Sequence, residues 1–420
     1  MNKHLIIKNF GPIRHVDLDL LDYNVLIGPQ ATGKSTIAKM LYFFLSLKED
    51  LWDYIRHPGN EANKADFERK IRLKFAGFFG TAKVDPQFHA QFRYAYGKEI
   101  ELIHRDGYVS AVYSRAMDSE MDRIFQEANK AFVELAFSGE ILSIINGVFG
   151  EGTVVYIPAG RSILSTLPDS LQQQILGKAS MTEPDRQLLD TPLINFIDRI
   201  SDLKRIFDKT LDEVIAEKQA TAPVYFQPDK PRLDKAKEVI ERVLKGRYCY
   251  DKTGEKIDVG DASVKLSFAS SGQQEALWIL MQLFYLILNQ TKAFVIIEEP
   301  EAHLFPEAQK YITELTSLTA NINGNQLLVT THSPYILTTL NNHIYAEQAG
   351  RWQRDRVSKT VDPLIWVDAQ QVNACYVDGG TTRSIMDDEL RLIKAEEIDG
   401  ASQIINEEFS NLSETDELQG

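Results

Sequence analysis

The stretch Val-Leu-Ile-Gly-Pro-Gln-Ala-Thr-Gly-Lys-Ser-Thr occupies residues 25–36 and decides the fold. Its first three residues predict a buried strand, and a helix is expected from about Lys34, after a glycine loop. In this setting the loop binds phosphate, because backbone N–H groups curl around the oxygens, Lys34 adds a positive charge and the Ser35 hydroxyl can ligate Mg²⁺. A glycine turn that carries Lys-Ser by chance is the alternative. The residues predicted to bind the nucleotide are Gly28, Pro29, Gln30, Ala31, Thr32, Gly33, Lys34, Ser35 and Thr36.

A second apolar strand ends in acidic residues, because residues 294–301 read Phe-Val-Ile-Ile-Glu-Glu-Pro-Glu. Carboxylates at the carboxyl end of a parallel strand face the ligand crevice. Glu298 stands where it would hold Mg²⁺, and Glu299 stands where a general base would polarise the attacking water. Without the phosphate loop, an acidic loop after a core strand would explain the same residues.

Two further motifs also stand at the ends of predicted elements. Residues 270–275, Ser-Ser-Gly-Gln-Gln-Glu, precede an apolar helix, where free backbone N–H groups can bind an anion or simply form an N-cap. Residues 330–334, Thr-Thr-His-Ser-Pro, follow another apolar strand. His332 at that strand end is placed to sense a γ-phosphate, with a satisfied core histidine as the alternative.

These motifs, in this order, resemble those of the ABC-type ATPases of the structural-maintenance-of-chromosomes (SMC) and RecF-like group. The opening Ile-Lys-Asn-Phe-Gly-Pro at residues 7–12 shares the resemblance. Within the group, the motifs are most similar to single-chain ATPases of bacterial anti-phage systems, namely the OLD family and the Septu-type and PARIS-type ATPases. The resemblance covers roughly residues 1–47 and 260–345. It implies an α/β P-loop fold with an ABC-type ATPase head on a mixed sheet, and ATP and Mg²⁺ as cofactors.

The resemblance also implies that two heads sandwich two ATP molecules. Ser271, Gly272 and Gln273 of one subunit would then face the phosphate loop of the other. Glu299 would be the base for hydrolysis, and His332 would be the switch histidine. The implied partner is a second copy of the chain, in an ATP-dependent homodimer or a higher oligomer.

Three positions depart from the pattern of the group. Glu298 stands where most ABC ATPases have Asp, and Ser-Ser-Gly-Gln is a shortened likeness of the signature Leu-Ser-Gly-Gly-Gln. Where the glutamine loop is expected, residues 153–157 predict a strand that Pro-Ala-Gly-Arg follows, so Arg161 stands in place of glutamine. Arg161 either contacts phosphate, or links the following segment to the nucleotide, or is a surface arginine.

Composition excludes several classes of protein. The chain has 420 residues, of which 44% are hydrophobic and 25% charged, as is typical of a globular protein. A net charge of −14 prevents it from coating nucleic acid or an anionic membrane through its overall charge. Cys249 and Cys375 cannot form a disulfide framework, and we find no signal core or membrane-spanning run. We therefore expect a reduced, cytoplasmic setting without membrane association.

We expect the ATPase head to be split between residues 1–114 and 248–383. Between the two parts, residues 115–247 predict a mainly helical insertion, and residues 384–420 form a short acidic tail. The tail carries eleven acidic and two basic residues, which is typical of a helical or partly disordered interaction segment or of a solvated surface. Within the first part of the head, residues 100–114 alternate around Arg-Asp-Gly and predict a β-hairpin.

The sequence leaves two functions open. The first is an ATPase whose dimerisation controls a partner effector, such as a nuclease or toxin, in bacterial anti-phage defence. Only 86 residues follow Pro334, too few for the TOPRIM-type nuclease domain of OLD proteins, so the effector is expected on another chain. The alternative is a RecF/SMC-like DNA-repair or DNA-clamping ATPase, with DNA bound through basic clusters around Arg69, Arg242 and Arg351. Each cluster is also explained as a solvated face. A transporter ATPase subunit is less well supported.

Overall fold

The computed structural model describes residues 3–57, 61–80, 84–133, 139–161, 190–223, 227–251, 254–394 and 400–417. The strands are β1 (Lys3–Phe10), β2 (Ile13–Leu20), β3 (Tyr23–Ile27), β4 (His89–Ala95), β5 (Lys98–Arg105), β6 (Tyr108–Tyr113), β7 (Thr153–Ile157), β8 (Arg247–Asp251), β9 (Gly254–Val259), β10 (Ala262–Lys265), β11 (Ala293–Glu298), β12 (Gln326–Thr331), β13 (Val372–Asp378) and β14 (Thr381–Ser384). The helices are α1 (Lys34–Arg56), α2 (Lys64–Phe79), α3 (Arg115–Val133), α4 (Gly139–Phe149), α5 (Thr191–Ile206), α6 (Leu211–Thr221), α7 (Lys230–Leu244), α8 (Ser271–Asn289), α9 (Pro306–Ala320), α10 (Pro334–Val357) and α11 (Gly400–Glu417).

Eleven of the described strands form one mixed sheet, in the order β6-β5-β4-β1-β2-β14-β13-β3-β12-β11-β7. The strands from β13 to β7 in that order are parallel, whereas β2, β1, β4, β5 and β6 pair antiparallel. Strands β8, β9 and β10 form a separate antiparallel sheet. A mixed sheet with a glycine loop and a helix after β3 confirms the predicted α/β P-loop fold.

Helices cover both faces of the parallel part of the sheet, which explains why its strands are continuous apolar runs. On β11, Val295 and Ile297 contribute to one core, which also contains the apolar side chains of α7, α8 and α9. Phe294 and Ile296 contribute to a second core, which contains those of α1 and α2. Helix α8, the apolar helix expected after residues 270–275, is buried along most of its length and is a core helix.

The register of the parallel strands places four strand ends at one edge of the sheet. Ile297 of β11 pairs with Ile157 of β7, and Glu298 pairs with Thr330 of β12. On the other side of β12, Thr331 pairs with Ile27 of β3. The segments that follow these four strands therefore meet at the same edge, where polar side chains can act together.

The segment predicted as a helical insertion, residues 115–247, contributes to the same sheet and cores. Its strand β7 pairs with β11 in the large sheet, and helix α7 packs against α8 and α9. Residues 162–189 of the predicted helical stretch lie outside the described part of the chain. By their packing, β7 and α7 are not separate from the head. The division into head and insertion therefore refers only to the order of segments along the chain, and it stays a prediction.

The ordered head continues beyond residue 383, where the acidic tail was expected to begin. Ile385 and Ile393 are buried in the core, at 0% and 3% exposure. Asn341 of α10 also holds the main chain of Ile393, donating to its carbonyl over 2.9 Å and accepting from its N–H over 2.8 Å. The head thus extends to Lys394, and the acidic helix α11 follows at residues 400–417.

Other local predictions can be compared with the elements directly. Strands β5 and β6 form the hairpin expected around Asp106, and their register runs from Arg105–Tyr108 to Ile100–Tyr113. Cys249 and Cys375 do not form a disulfide with each other. Among the described helices, none combines the length and the apolar character needed to cross a bilayer.

We predict that a chain ending at Lys394 is as stable as the full chain, whereas a chain ending at Ser384 is clearly less stable. The shorter chain loses three buried apolar side chains, Ile385, Met386 and Ile393. Each buried side chain of this kind contributes about 1.5–3 kcal/mol, so the midpoint of thermal unfolding is expected to fall by about 5 °C or more. Differential scanning fluorimetry measures this, and equal midpoints for the two truncated chains would contradict the boundary at Lys394.

Candidate functional site

The phosphate loop joins β3 to α1 and is held closed by its own residues. The Thr32 hydroxyl donates to the Pro29 carbonyl over 2.9 Å, and the Lys34 ammonium donates to the carbonyls of Gly28 and Pro29 over 2.8 and 2.7 Å. Burial lowers the pKa of Lys34, and the nearby carboxylates of Glu299 and Glu301 oppose that shift. Lys34 thus lies beside the start of α1, where the helix dipole favours an anion.

Glycine at position 28 is required by close packing. A Cβ atom there would lie 2.1 Å from the carbonyl oxygen of Val377 on the neighbouring strand β13. Gly33, the N-cap of α1, has φ of 108° and so adopts a conformation that L side chains rarely take. A Cβ atom on Gly33 would lie 3.0 Å from the Ile13 side chain, so both glycines allow the loop to pack closely on its neighbours.

Glu298 ends β11 and lies against the start of α1. Its carboxylate is 4% exposed and accepts hydrogen bonds from the Tyr156 hydroxyl over 2.8 Å and from the Ala159 N–H over 3.4 Å. Burial raises the pKa of Glu298, whereas the hydrogen bonds from Tyr156, Ala159 and the Ser35 hydroxyl lower it. A carboxylate and a hydroxyl are oxygen donors of the kind that Mg²⁺ prefers, so Ser35 and Glu298 fit the metal predicted from the sequence.

Glu299 and His332 lie together at the ends of β11 and β12. The Nε2 atom of His332 is 3.4 Å from Oε1 of Glu299, and both side chains are partly exposed. The Glu299 N–H donates to the Thr330 carbonyl over 2.8 Å, and its φ of 45° is in the left-handed region. A non-glycine residue in that conformation is a sign of local strain, which often accompanies functional sites.

Glu301 is a third acid at this edge that we did not single out from the sequence. One of its oxygens accepts from the Thr331 hydroxyl over 2.8 Å and from the His332 N–H over 2.7 Å. Within the part of the chain that the structure describes, its other oxygen is buried without a hydrogen-bond partner. Because buried acceptors are normally satisfied, this oxygen is suited to a water molecule or another donor in the site.

The Ser-Ser-Gly-Gln segment forms the first turn of α8. The Ser270 hydroxyl accepts from the Gln273 N–H, and the Gln273 side chain accepts in return from the Ser270 N–H over 3.0 Å and donates to the Leu244 carbonyl over 2.7 Å. Ser271 is exposed. A Cβ atom on Gly272 would lie 2.7 Å from the His303 carbonyl oxygen, so the helix start packs tightly against the loop that follows Glu301.

Arg161 is completely buried, so the interpretation as a surface arginine is wrong. Its guanidinium donates to the carbonyls of Pro158, Glu298 and Glu299, over 2.6, 2.6 and 2.9 Å. The same side chain also lies against Glu275 of α8. All of these contacts are with other groups of the protein. They place the loop after β7 against the end of β11.

The structure therefore brings together most of the residues predicted for the site. Lys34, Ser35, Glu298, Glu299 and His332 meet at the carboxyl edge of the parallel strands, whereas the start of α8 has its described contacts with Leu244 and His303. The sequence did not point to Tyr156, because this residue looks like any other member of an apolar core strand. Glu301 had a visible signal, since it stands three residues after Glu298.

Comparison with known proteins identifies the class of protein. The model of the AAA ATPase domain family matches residues 1–142 and 157–337, so the chain belongs to that family. It is therefore an ATPase, with a P-loop head of the ABC type as predicted, and it binds ATP.

Individual relatives are distant. The chain is 22% identical over 353 residues to an OLD nuclease of Thermus scotoductus, which covers 80% of this chain but only 59% of that protein. Similar solved structures include an Smc head bound to the C-winged helix domain of ScpA, with 12% identity, a TM-score of 0.44 and coverage of 93% and 98% of the two chains. Another is the recombination mediator RecF, with 11% identity, a TM-score of 0.36 and coverage of 92% and 98%.

We predict that Lys34→Ala weakens ATP binding by about 100-fold, because the variant lacks the ammonium group that would neutralise and hydrogen-bond the phosphates. Titration with a fluorescent ATP analogue measures the dissociation constant. Lys8→Ala, which removes an exposed lysine from β1, is the matched control and is expected to bind ATP normally. Equal affinities for wild type and Lys34→Ala would contradict the assignment of the phosphate loop.

Proposed function

We propose that the chain is an ATP-driven switch in which two copies close on two ATP molecules and thereby control a partner effector in bacterial anti-phage defence. The observation that supports this most is the meeting of the phosphate loop, Glu298, Glu299 and His332 at one sheet edge. The exposed Ser271 at the start of α8 lies on a different element of the same chain. A second copy would bring that helix start to the nucleotide.

Each residue of the edge has a proposed part in ATP hydrolysis. The phosphate-loop residues from Gly28 to Thr36 bind the triphosphate through backbone N–H groups, and Lys34 neutralises its charge. Ser35 and Glu298 hold Mg²⁺, which would neutralise negative charge on the phosphates when it is bound. Glu299 accepts a proton from the attacking water, and His332, 3.4 Å from the Glu299 carboxylate, senses the γ-phosphate.

The first turn of α8 completes the site from the second copy in this proposal. Ser271 and Gly272 would supply N–H groups and a hydroxyl to the γ-phosphate of the partner's ATP, while Gln273, whose N–H and side chain belong to the capping box, would hold this turn in shape. The helix has a capping box, so its first turn is already rigid before any ligand approaches. ATP then stabilises the closed dimer, and its hydrolysis releases the two copies.

The acidic helix α11 is our candidate docking surface for the effector. Ile405, Phe409 and Leu412 are 61%, 71% and 69% exposed, and their spacing places them on one helix face. Acidic residues such as Glu407 and Glu408 lie between them. An apolar stripe bordered by acids suits a protein partner with a basic rim around an apolar groove.

The RecF-like alternative, a DNA clamp, receives less support from the basic clusters. Within the described residues, Arg69 pairs with Asp66 at 3.3 Å, Arg242 with Glu238 at 2.7 Å, and Arg351 with Glu347 at 2.8 Å. These three arginines head the clusters that the sequence suggested for DNA. Because each is next to a carboxylate, the clusters offer less positive potential to a phosphate backbone than the sequence alone indicates.

We predict that Glu299→Gln lowers the rate of ATP hydrolysis by about 100-fold or more while ATP binding is preserved. The amide cannot accept a proton, so the ATP-bound dimer should accumulate. Size-exclusion chromatography with light scattering, in the presence of Mg²⁺ and ATP, measures the dimer, and phosphate release measures turnover.

Ser271→Arg is the companion variant in that experiment. A bulky cation at the start of α8 should prevent closure, so the double variant with Glu299→Gln is expected to bind ATP but remain a monomer. A double variant that still dimerises would show that α8 does not contribute to the ATP-dependent interface. Glu299→Gln with wild-type turnover would contradict the role of Glu299.

We also predict that Glu299→Gln, purified from its own host with ATP, carries a stoichiometric protein partner. The same variant shortened to end at Lys394 should form the dimer but lose that partner, because α11 is gone. Mass spectrometry of the bound proteins and gel analysis of bound nucleic acid make the comparison. Recovery of DNA without protein, with binding that falls steeply with salt, would instead support the DNA clamp.

A further inference from the structure

Arg161 joins three segments of the chain from a fully buried position. The side chain of Arg161 is 0% exposed, and that of Glu275 is 2% exposed. The Arg161 N–H donates to the Glu275 carboxylate over 3.0 Å, and its Nε atom lies 3.4 Å from the same oxygen. Its Nε also donates to the Glu275 carbonyl over 3.2 Å. Arg161 is thus fastened to the second turn of α8, next to Ser271 and Gly272.

The other side of the guanidinium fastens the acidic end of β11. Nη1 donates to the Glu298 carbonyl over 2.6 Å, and Nη2 donates to the Glu299 carbonyl over 2.9 Å. The Glu299 carbonyl also accepts from the Ala302 N–H over 3.1 Å. Arg161 therefore touches the main chain on both sides of the Glu299 Cα atom without touching its carboxylate.

The Arg161 contacts hold Glu299 in a backbone conformation that is energetically unfavourable. Glu299 has φ of 45°, which a non-glycine residue adopts only when its surroundings enforce it. The Arg161 fork and the Ala302 N–H hold it on the carbonyl side, and the Thr330 carbonyl holds it on the N–H side. From that backbone position the Glu299 carboxylate lies 3.4 Å from His332.

A second contact joins the same two segments. Gly272, in the first turn of α8, packs on the His303 carbonyl, where a Cβ atom would approach to 2.7 Å. His303 lies four residues after Glu299 and also has a positive φ, of 59°. The helix start and the acidic loop are therefore coupled by a buried ion pair on one side and by direct backbone packing on the other.

We propose that Arg161 is a positioning residue that couples the start of α8 to Glu299, so that engagement of Ser271 and Gly272 by the second copy's ATP aligns the base in the same chain. The inference rests on the proposed function of Glu299 and α8. Arginine is needed because its planar fork reaches two carbonyls and a carboxylate at once, which a lysine ammonium cannot do in the same geometry.

Arg161→Lys tests the coupling, because it keeps the positive charge and loses the fork. We expect kcat for ATP to fall about 10-fold or more, because a general base that is displaced from the attacking water accepts its proton less effectively. KM and ATP affinity should change less than about 3-fold, because the described contacts of Lys34 do not include Arg161. Arg199→Lys is the matched control, since Arg199 also donates to a main-chain carbonyl of β7, that of Val154 over 3.4 Å, away from Glu299.

A double-mutant cycle separates coupling from simple support of the fold. If Arg161 and Ser271 act through one linkage, Arg161→Lys and Ser271→Ala should lower kcat together by less than the product of their separate effects. Glu275→Gln is the second variant, to be used also if Arg161→Lys does not fold. It keeps the bonds of Arg161 to the carbonyls of Glu298 and Glu299, weakens the tie to α8, and should lower kcat about 5-fold or more.

The series distinguishes failure of this inference from failure of the proposed function. Unchanged kcat in both Arg161→Lys and Glu275→Gln, or strictly multiplicative effects in the cycle with Ser271→Ala, would overturn the coupling while Glu299→Gln still abolishes turnover. Normal turnover in Glu299→Gln, measured in the same series, would instead overturn the proposed function. A reduced kcat with a normal thermal midpoint and normal ATP affinity supports the coupling.

Discussion

The parallel register of β7, β11, β12 and β3 is the constraint on which the rest of the site depends. Each of these strands is paired to its neighbour so that their carboxyl ends coincide. Four segments that are far apart in the chain then leave the sheet side by side. The phosphate loop, the acids after β11, the histidine after β12 and the arginine after β7 owe their proximity to that register, and a shift of one residue in any pair would separate them.

Placing so many charges at one partly buried edge requires that each be compensated inside the protein. Burial raises the pKa of both Glu298 and Glu301, while hydrogen bonds from Tyr156 and from the main chain hold them in place. Burial likewise lowers the pKa of Arg161, and Glu275 opposes that shift most strongly. Buried charges are costly unless their hydrogen bonds are satisfied. Arg161 meets that condition with main-chain carbonyls and the Glu275 carboxylate. It is therefore engaged inside the protein, and Lys34 is the basic residue of the phosphate loop.

The sequence was most informative where chemistry is contiguous along the chain. The phosphate loop, the acids at the end of β11 and the hairpin around Asp106 are short patterns whose meaning does not depend on distant residues. Arg161 could not be placed in the same way, because its burial depends on α8 and β11, more than 100 residues away. The end of the head was misplaced for a similar reason, since Ile385 and Ile393 look like isolated apolar residues in an acidic stretch and are buried only by the core and Asn341.

The geometry of α8 also bears on how a chain of this class can respond to its nucleotide. The first turn of α8 cannot move freely, because Gly272 rests on the His303 carbonyl and Glu275 is bound to Arg161. The remaining length of α8 is packed in the core. In the coupling proposed above, a displacement of that turn would act on the loop that carries Glu299, Glu301 and His303, in which Glu299 and His303 have positive φ angles. Because the same loop carries the Glu299 side chain, a small shift at the helix start would, in that proposal, change the direction of the Glu299 carboxylate.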